Sequence, residues 1–185
     1  MHGSSKAFKV GILFVAGAGL LLSGCATTSP DARFKEALPK EHYLAANDTA
    51  AVKVESEEGV AIEELEKQRL ARTISGKIDA QKIQNGDTRG KREFEIAVLV
   101  TRYDKGNAFA RFMLAGLGQI HIDGKVSVLL LPDRKKVAEF DIDKTFAWGG
   151  IYGGVTSIED VEQGFAEGVA KAVTNVKENK QAAGY

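Results

Sequence analysis

Residues 119–146 read QIHIDGKVSVLLLPDRKKVAEFDIDKTF, and the alternation within them decides the fold. Ile120, Ile122, Val126, Val128 and Leu130 fall on one side of a period of two, while His121, Asp123, Lys125 and Ser127 fall on the other. At Pro132-Asp133-Arg134-Lys135 the pattern pauses, and proline is suited to pre-set a turn there. It then resumes, with Ala138, Phe140, Ile142 and Phe146 alternating with Glu139, Asp141 and Asp143. Two such strands around a turn predict an antiparallel hairpin with one face buried and one face charged.

Upstream, Phe94, Ile96, Val98 and Val100 alternate with Glu95, Ala97, Leu99 and Thr101, predicting a strand buried on one face and partly on the other. Residues 50–55 (AAVKVE) read as an earlier strand. Between them, Ala61 to about Gln84 is helical, with Ile62, Leu65, Leu70, Ile74 and Ile78 supplying an apolar side. Gly76 weakens its second half, and Asn85-Gly86-Asp87 ends it. Strand, helix, strand is the order of a parallel pair with a crossover. Downstream of the hairpin, Ser157 and Asp160 form a capping-box-like start. Ile158, Val161, Phe165, Val169, Ala172 and Val176 then fall at steps of three or four, as one apolar stripe. The expected architecture is α/β (α+β): a two-layer sandwich of a small mixed sheet, about four strands, with two amphipathic helices.

The start of the chain has a different logic. Met1 to Lys9 is cationic, and Val10 to Leu22 is a 13-residue apolar run. A bilayer-spanning helix needs roughly 20 apolar residues, so this run fits the core of a secretory signal. Leu22-Ser23-Gly24-Cys25 follows. It resembles the lipobox of bacterial lipoproteins, which implies cleavage between Gly24 and Cys25 and lipid attachment at Cys25. Cys25 is the only cysteine, so no internal disulfide can form. Ala26 stands where inner-membrane lipoproteins often carry Asp, and by that resemblance implies the outer membrane of a Gram-negative cell. The expected organisation is signal peptide 1–24, lipidated N-terminus and tether 25–45, and one globular periplasmic domain 46–180. The bilayer is then a partner through acylated Cys25.

Composition restricts the rest. The full chain has 25 basic and 25 acidic residues, and losing Lys6 and Lys9 with the signal leaves a net of −2. No clustered positive field points to nucleic acid. Among the histidines, His42 and His121 have no second ligand at helical or hairpin spacing, so no metal site is expected. No serine or cysteine nucleophile sits beside a base, and no phosphate loop is present, so neither an enzyme nor a cofactor is expected. One alternative stays open: Asp141 and Asp143 share a strand face, with Asp123 possibly opposite, and three carboxylates could hold a cation or act as acid and base.

Two glycine-rich segments depart from the plain plan. In residues 106–118, Asn107 can cap a short helix and Gly116 can end it, leaving Phe109, Phe112 and Met113 as a greasy face. In residues 148–154, four glycines flank Ile151 and Tyr152 behind Trp148. Each reads either as a tight connection or as a contact surface, with Asn107, Arg111, Trp148 and Tyr152 as candidates for meeting an envelope protein. The block Gly106-Asn107-Ala108 with Arg111, then Gly116 and Gly118, Pro132-Asp133, Phe140, Gly149-Gly150 and Gly153-Gly154 resembles a bacterial lipoprotein family, the domain of unknown function numbered 4410. The resemblance covers roughly residues 50–177. It implies an envelope address and no known activity. Asp133-Arg134-Lys135-Lys136 stands where that family usually has an Asp-x-x-Thr-Gly-like turn. The expected role is a non-enzymatic binding or scaffolding module, with an envelope enzyme or a subunit of an envelope assembly as alternatives.

Overall fold

The computed structural model describes residues 32–84, 86–88, 90–114, 117–147 and 154–174. Gly24, Cys25, Trp148 and Tyr152 therefore lie outside the described residues.

The expected strands form in the expected places. β1 (Arg33–Glu36) precedes a short 3-10 turn (Lys40–His42) and β2 (Thr49–Ser56). Helix α1 (Glu64–Gln84), β3 (Glu93–Asp104), the short α2 (Ala108–Met113), β4 (Ile120–Leu130), β5 (Lys135–Phe146) and α3 (Ile158–Thr174) follow. The sheet order is β1-β5-β4-β3-β2. β4 and β5 are the expected hairpin, with Val126 opposite Phe140. β2 and β3 are the expected parallel pair, with Val52 opposite Ile96. α1 and α3 cover one face, and the other is left open. This is the two-layer sandwich, with five strands instead of about four.

The additional strand is β1. The stretch expected to be tether, 25–45, supplies it, and also puts Leu38, Leu44 and Ala45 into the core. The described fold thus begins well before residue 46. All four residues of β1 are exposed, and no alternation marks them. Pairing holds the strand: Phe34 lies opposite Phe140, their ring centroids 5.0 Å apart.

The core lies between sheet and helices. Phe94, Ile96, Ile122, Val126 and Phe140 meet Leu70, Ile74 and Ile78 of α1 and Phe165 and Val169 of α3. Leu65 is not among them; it is 73% exposed, because α1 turns Glu66 inward instead. Gly124 belongs to the buried side of β4, and a Cβ there would stand 3.1 Å from the Phe165 ring. Its missing side chain lets that ring lie on the sheet. The expected start of α3 is present, with the Ser157 amide and hydroxyl donating to Asp160 Oδ2 at 2.9 and 3.2 Å.

Two polar knots tie the segments. Glu162 of α3, 1% exposed, accepts from Arg69 Nε and Nη2 at 2.8 and 2.9 Å and from the Tyr103 hydroxyl at 2.6 Å. Burial, and then the Glu162 carboxylate, push the Tyr103 hydroxyl far up. Asp48 accepts from the amides of Ala45 and Arg92, each at 2.8 Å, and from Arg92 Nη2 at 2.6 Å. Burial opposes its ionisation, but these donors outweigh it and hold its carboxyl below the usual range. The Arg92 guanidinium also donates to the Glu41 and Tyr43 carbonyls, clamping the N-terminal segment.

Candidate functional site

Two surfaces stand out, and the sequence marked both. The first is built on residues 106–118. Gly106 and Gly118 have φ of +63° and +67°. A Cβ on Gly106 would stand 2.3 Å from the Gly118 carbonyl oxygen, so only glycine fits this close approach. Asn107 N–H donates to the Gly118 carbonyl at 3.1 Å, and Asn107 Oδ1 caps α2 by accepting from Ala110 N–H at 2.9 Å. Arg111 is 3% exposed and donates to the carbonyls of Gly118 and Thr156, at 2.7 and 2.9 Å. Burial lowers its proton affinity.

Arg111 is thus too deep to meet a partner, whereas Asn107 is exposed with its Oδ1 engaged as a cap. The apolar part of this surface comes from their neighbours. Phe109 and Val155 are 73% and 74% exposed, and Phe112, Met113, Leu114 and Leu117 are each more than half exposed. Ala108, Phe109, Phe112, Gly154 and Val155 line an apolar cleft of about 360 Å³. Polar anchors below and an apolar top above make this a platform.

The second surface is a groove of about 450 Å³ on the open face of the sheet. It brings Asp123, Asp141 and Asp143 together, as the hairpin alternation implied, and adds His121, Arg33 and Arg102. Asp123 and Asp143 are register partners on β4 and β5. Burial, opposed by Arg102 and reinforced by Asp143, pushes the Asp123 carboxyl above its usual range. Burial, then Arg102, holds His121 below the usual imidazole value, and its Nδ1 lies 3.0 Å from Thr145 Oγ1. Asp143 and Asp141 are bound by β1: Arg33 Nη1 lies 2.5 Å from Asp143 Oδ1, and Lys35 Nζ lies 2.8 Å from Asp141 Oδ1. Sequence reasoning missed these two cations, because they sit more than a hundred residues away on an unmarked strand. Among the described residues no group of three or more histidine, cysteine or carboxylate side chains is placed to hold a metal ion. No described helix is long and apolar enough to cross a membrane.

A five-stranded mixed sheet under two helices, with a glycine-clamped apolar platform at one end, defines the class: a small two-layer α/β domain. The family model of the domain of unknown function DUF4410 matches residues 36–150, and the chain belongs to that family. Its fold is similar to PelC from Paraburkholderia phytofirmans, a dodecamer, with a TM-score of 0.52 at 12% identity over 80% of this chain and 99% of PelC. A single-substitution PelC variant, also a dodecamer, gives 0.52 at 10% identity over 78% and 97% of the two chains. A comparison with curated proteins found no match.

Proposed function

We propose that this chain is a lipoprotein acylated on Cys25, held at the outer membrane with its domain in the periplasm. There it serves without catalysis, as a binding or scaffolding module. The Ser23-Gly24-Cys25 junction behind a 13-residue apolar run supports the anchor. One observation carries the non-catalytic reading: two of the three groove carboxylates, Asp141 and Asp143, are engaged by Lys35 and Arg33 in fastening β1 to the sheet. Charges committed to holding an edge strand are poorly placed to shuttle protons. The dodecameric state of PelC, which shares the fold, supports assembly with further copies.

The test is native mass spectrometry of the protein expressed from the whole sequence and extracted from envelopes in detergent. Acyl mass on Cys25 and a particle of several subunits are the expected results. A bare thiol at Cys25 would remove the anchor, and a strict monomer without protein partners would remove the scaffold.

A second reading, an envelope enzyme using Asp123, Asp141 and Asp143, draws on the raised affinity of Asp123 for its proton. Carboxyl ¹³C titration separates the two. An Asp123 midpoint near neutral pH would favour the enzyme, and one close to the carboxylate range favours the binding module.

A further inference from the structure

We infer that the α2 platform rests on the bilayer that holds Cys25, so that the domain stands with the α2 end of its sheet against the lipid surface. This rests on the anchor proposed above. The ends of the chain and of the sheet carry the argument.

β1 runs antiparallel to β5, with Arg33 opposite Asp141 and Phe34 opposite Phe140. The N-terminal end of β1 therefore faces the C-terminal end of β5. That end is Phe146, paired with Ile120. Asp104, the last residue of β3, is paired with His121 one step away. The β3–β4 connection, which carries the platform, thus lies at the same end of the sheet that the N-terminal end of β1 faces.

Lengths sharpen this. Cys25 to Ala32 is seven residues, with a reach of about 24 Å when fully extended. From the level of Ala32 to the Phe146 end is four residues along β5, about 13 Å at the usual strand rise. The tether covers that with about 11 Å to spare. From the same level to Lys135 is seven residues, about 23 Å, and the turn at 131–134 extends further. A lipid on Cys25 has too little chain to place its bilayer beyond that turn.

The two ends also differ in chemistry. The far turn presents Pro132, Asp133, Arg134, Lys135 and Lys136, all exposed. The near end presents Phe109, Phe112, Met113, Leu114, Leu117 and Val155. An exposed apolar patch of this kind marks an interaction site. Aromatic and aliphatic side chains on a surface held within reach of lipid enter the boundary between headgroups and acyl chains, about 5–10 Å deep. Lipid on Cys25 and apolar insertion at α2 then act as two linked attachments. They fix which end of the domain faces the membrane and leave the open sheet face pointing sideways, free for protein contact.

The experiment places a single tryptophan as a depth probe. Phe109→Trp and, separately, Asp133→Trp are made in a Trp148→Phe background. The mature acylated protein is reconstituted in phosphatidylethanolamine–phosphatidylglycerol vesicles, with and without acyl-chain-brominated lipid. The Phe109→Trp probe is expected to shift to the blue and lose emission to bromines at shallow acyl positions, while the Asp133→Trp probe does neither. Equal quenching of both probes, or none of either, overturns the inference. A blue-shifted but unquenched Phe109→Trp probe puts a protein surface there, and overturns it too. Acyl mass on Cys25 is measured on the same sample. Acylated protein with an unquenched probe refutes the orientation alone, whereas an unmodified Cys25 refutes the anchor and the orientation together.

Discussion

The covered and open faces of this sheet carry the same kinds of groups in opposite circumstances. Under the helices, Glu162 is all but sealed from solvent and takes three hydrogen bonds from Arg69 and Tyr103. On the open face, Asp141 and Asp143 take theirs from Lys35 and Arg33, all four in contact with water. A buried carboxylate that loses its partners, or a buried partner that loses its carboxylate, keeps the desolvation penalty and forfeits the compensation. An exposed pair that loses one member is resolvated at little cost. One face uses charge to lock the layers together, and the other uses it to trim an edge.

The largest effect should come from breaking the covered knot. Glu162→Ala takes the acceptor from the buried Tyr103 hydroxyl and leaves Arg69 with Glu159 and Glu66 alone, and should destabilise the fold by about 1–3 kcal/mol. Urea unfolding of the purified protein measures this through the midpoint, with the slope unchanged. The double change Arg69→Met with Glu162→Leu should recover most of the loss, since a well-packed apolar pair often equals a buried ion pair. A loss below about 1 kcal/mol for Glu162→Ala would mean the knot is as wet as the open face, and the contrast would collapse.

The open-face pairs sharpen the comparison from the other side. A double-mutant cycle on Lys35 and Asp141 should give a coupling of about 0.2–1 kcal/mol. That coupling should fade in 1 M salt, where the screening length falls to roughly 3 Å. A coupling above about 2 kcal/mol that survives such salt would show that β1 is held as firmly as the helices.

The same contrast explains what the sequence disclosed. The hairpin was legible because a strand with one wet face must alternate, and Val126, Val128 and Phe140 have no other use. α3 was legible because Val161, Phe165 and Val169 fall on a single stripe. α1 was legible as a helix but not in its facing. Its inner side holds Glu66 beside Leu70, so counting apolar residues alone drew in Leu65, which faces water. β1 left no trace, since four exposed residues held by pairing and by distant carboxylates carry no period. Of the candidate surfaces, the greasy face of α2 and the three carboxylates could be read. The supporting roles of Asn107 and Arg111 could not, because a cap and a buried guanidinium resemble contact residues until their acceptors are known. For Glu162 there was one signal: it lies four residues after Ile158, on the inner side of α3, where an acid needs a partner.

The smallest effect has the opposite sign and tests whether the groove belongs wholly to the open face. Asp123 is half-buried, and its folded carboxyl binds a proton more tightly than an ordinary aspartate, because burial and Asp143 outweigh Arg102. Below the unfolded value both states are protonated, and the group costs nothing. As pH rises through the unfolded and then the folded value, the unfolded chain ionises more readily, and stability falls and stays lower. Asp123→Asn keeps the shape of the protonated form, so it should be close to neutral near pH 3 and stabilising at pH 7. Water in the groove screens the repulsion and keeps the gain under about 1 kcal/mol. Urea midpoints of parent and variant at the two pH values measure it. A variant less stable than the parent at pH 7 would mean that the ionised Asp123 is held by a favourable partner. The groove would then belong with Glu162 as a charge the fold depends on, and the line between the two faces would have to be redrawn.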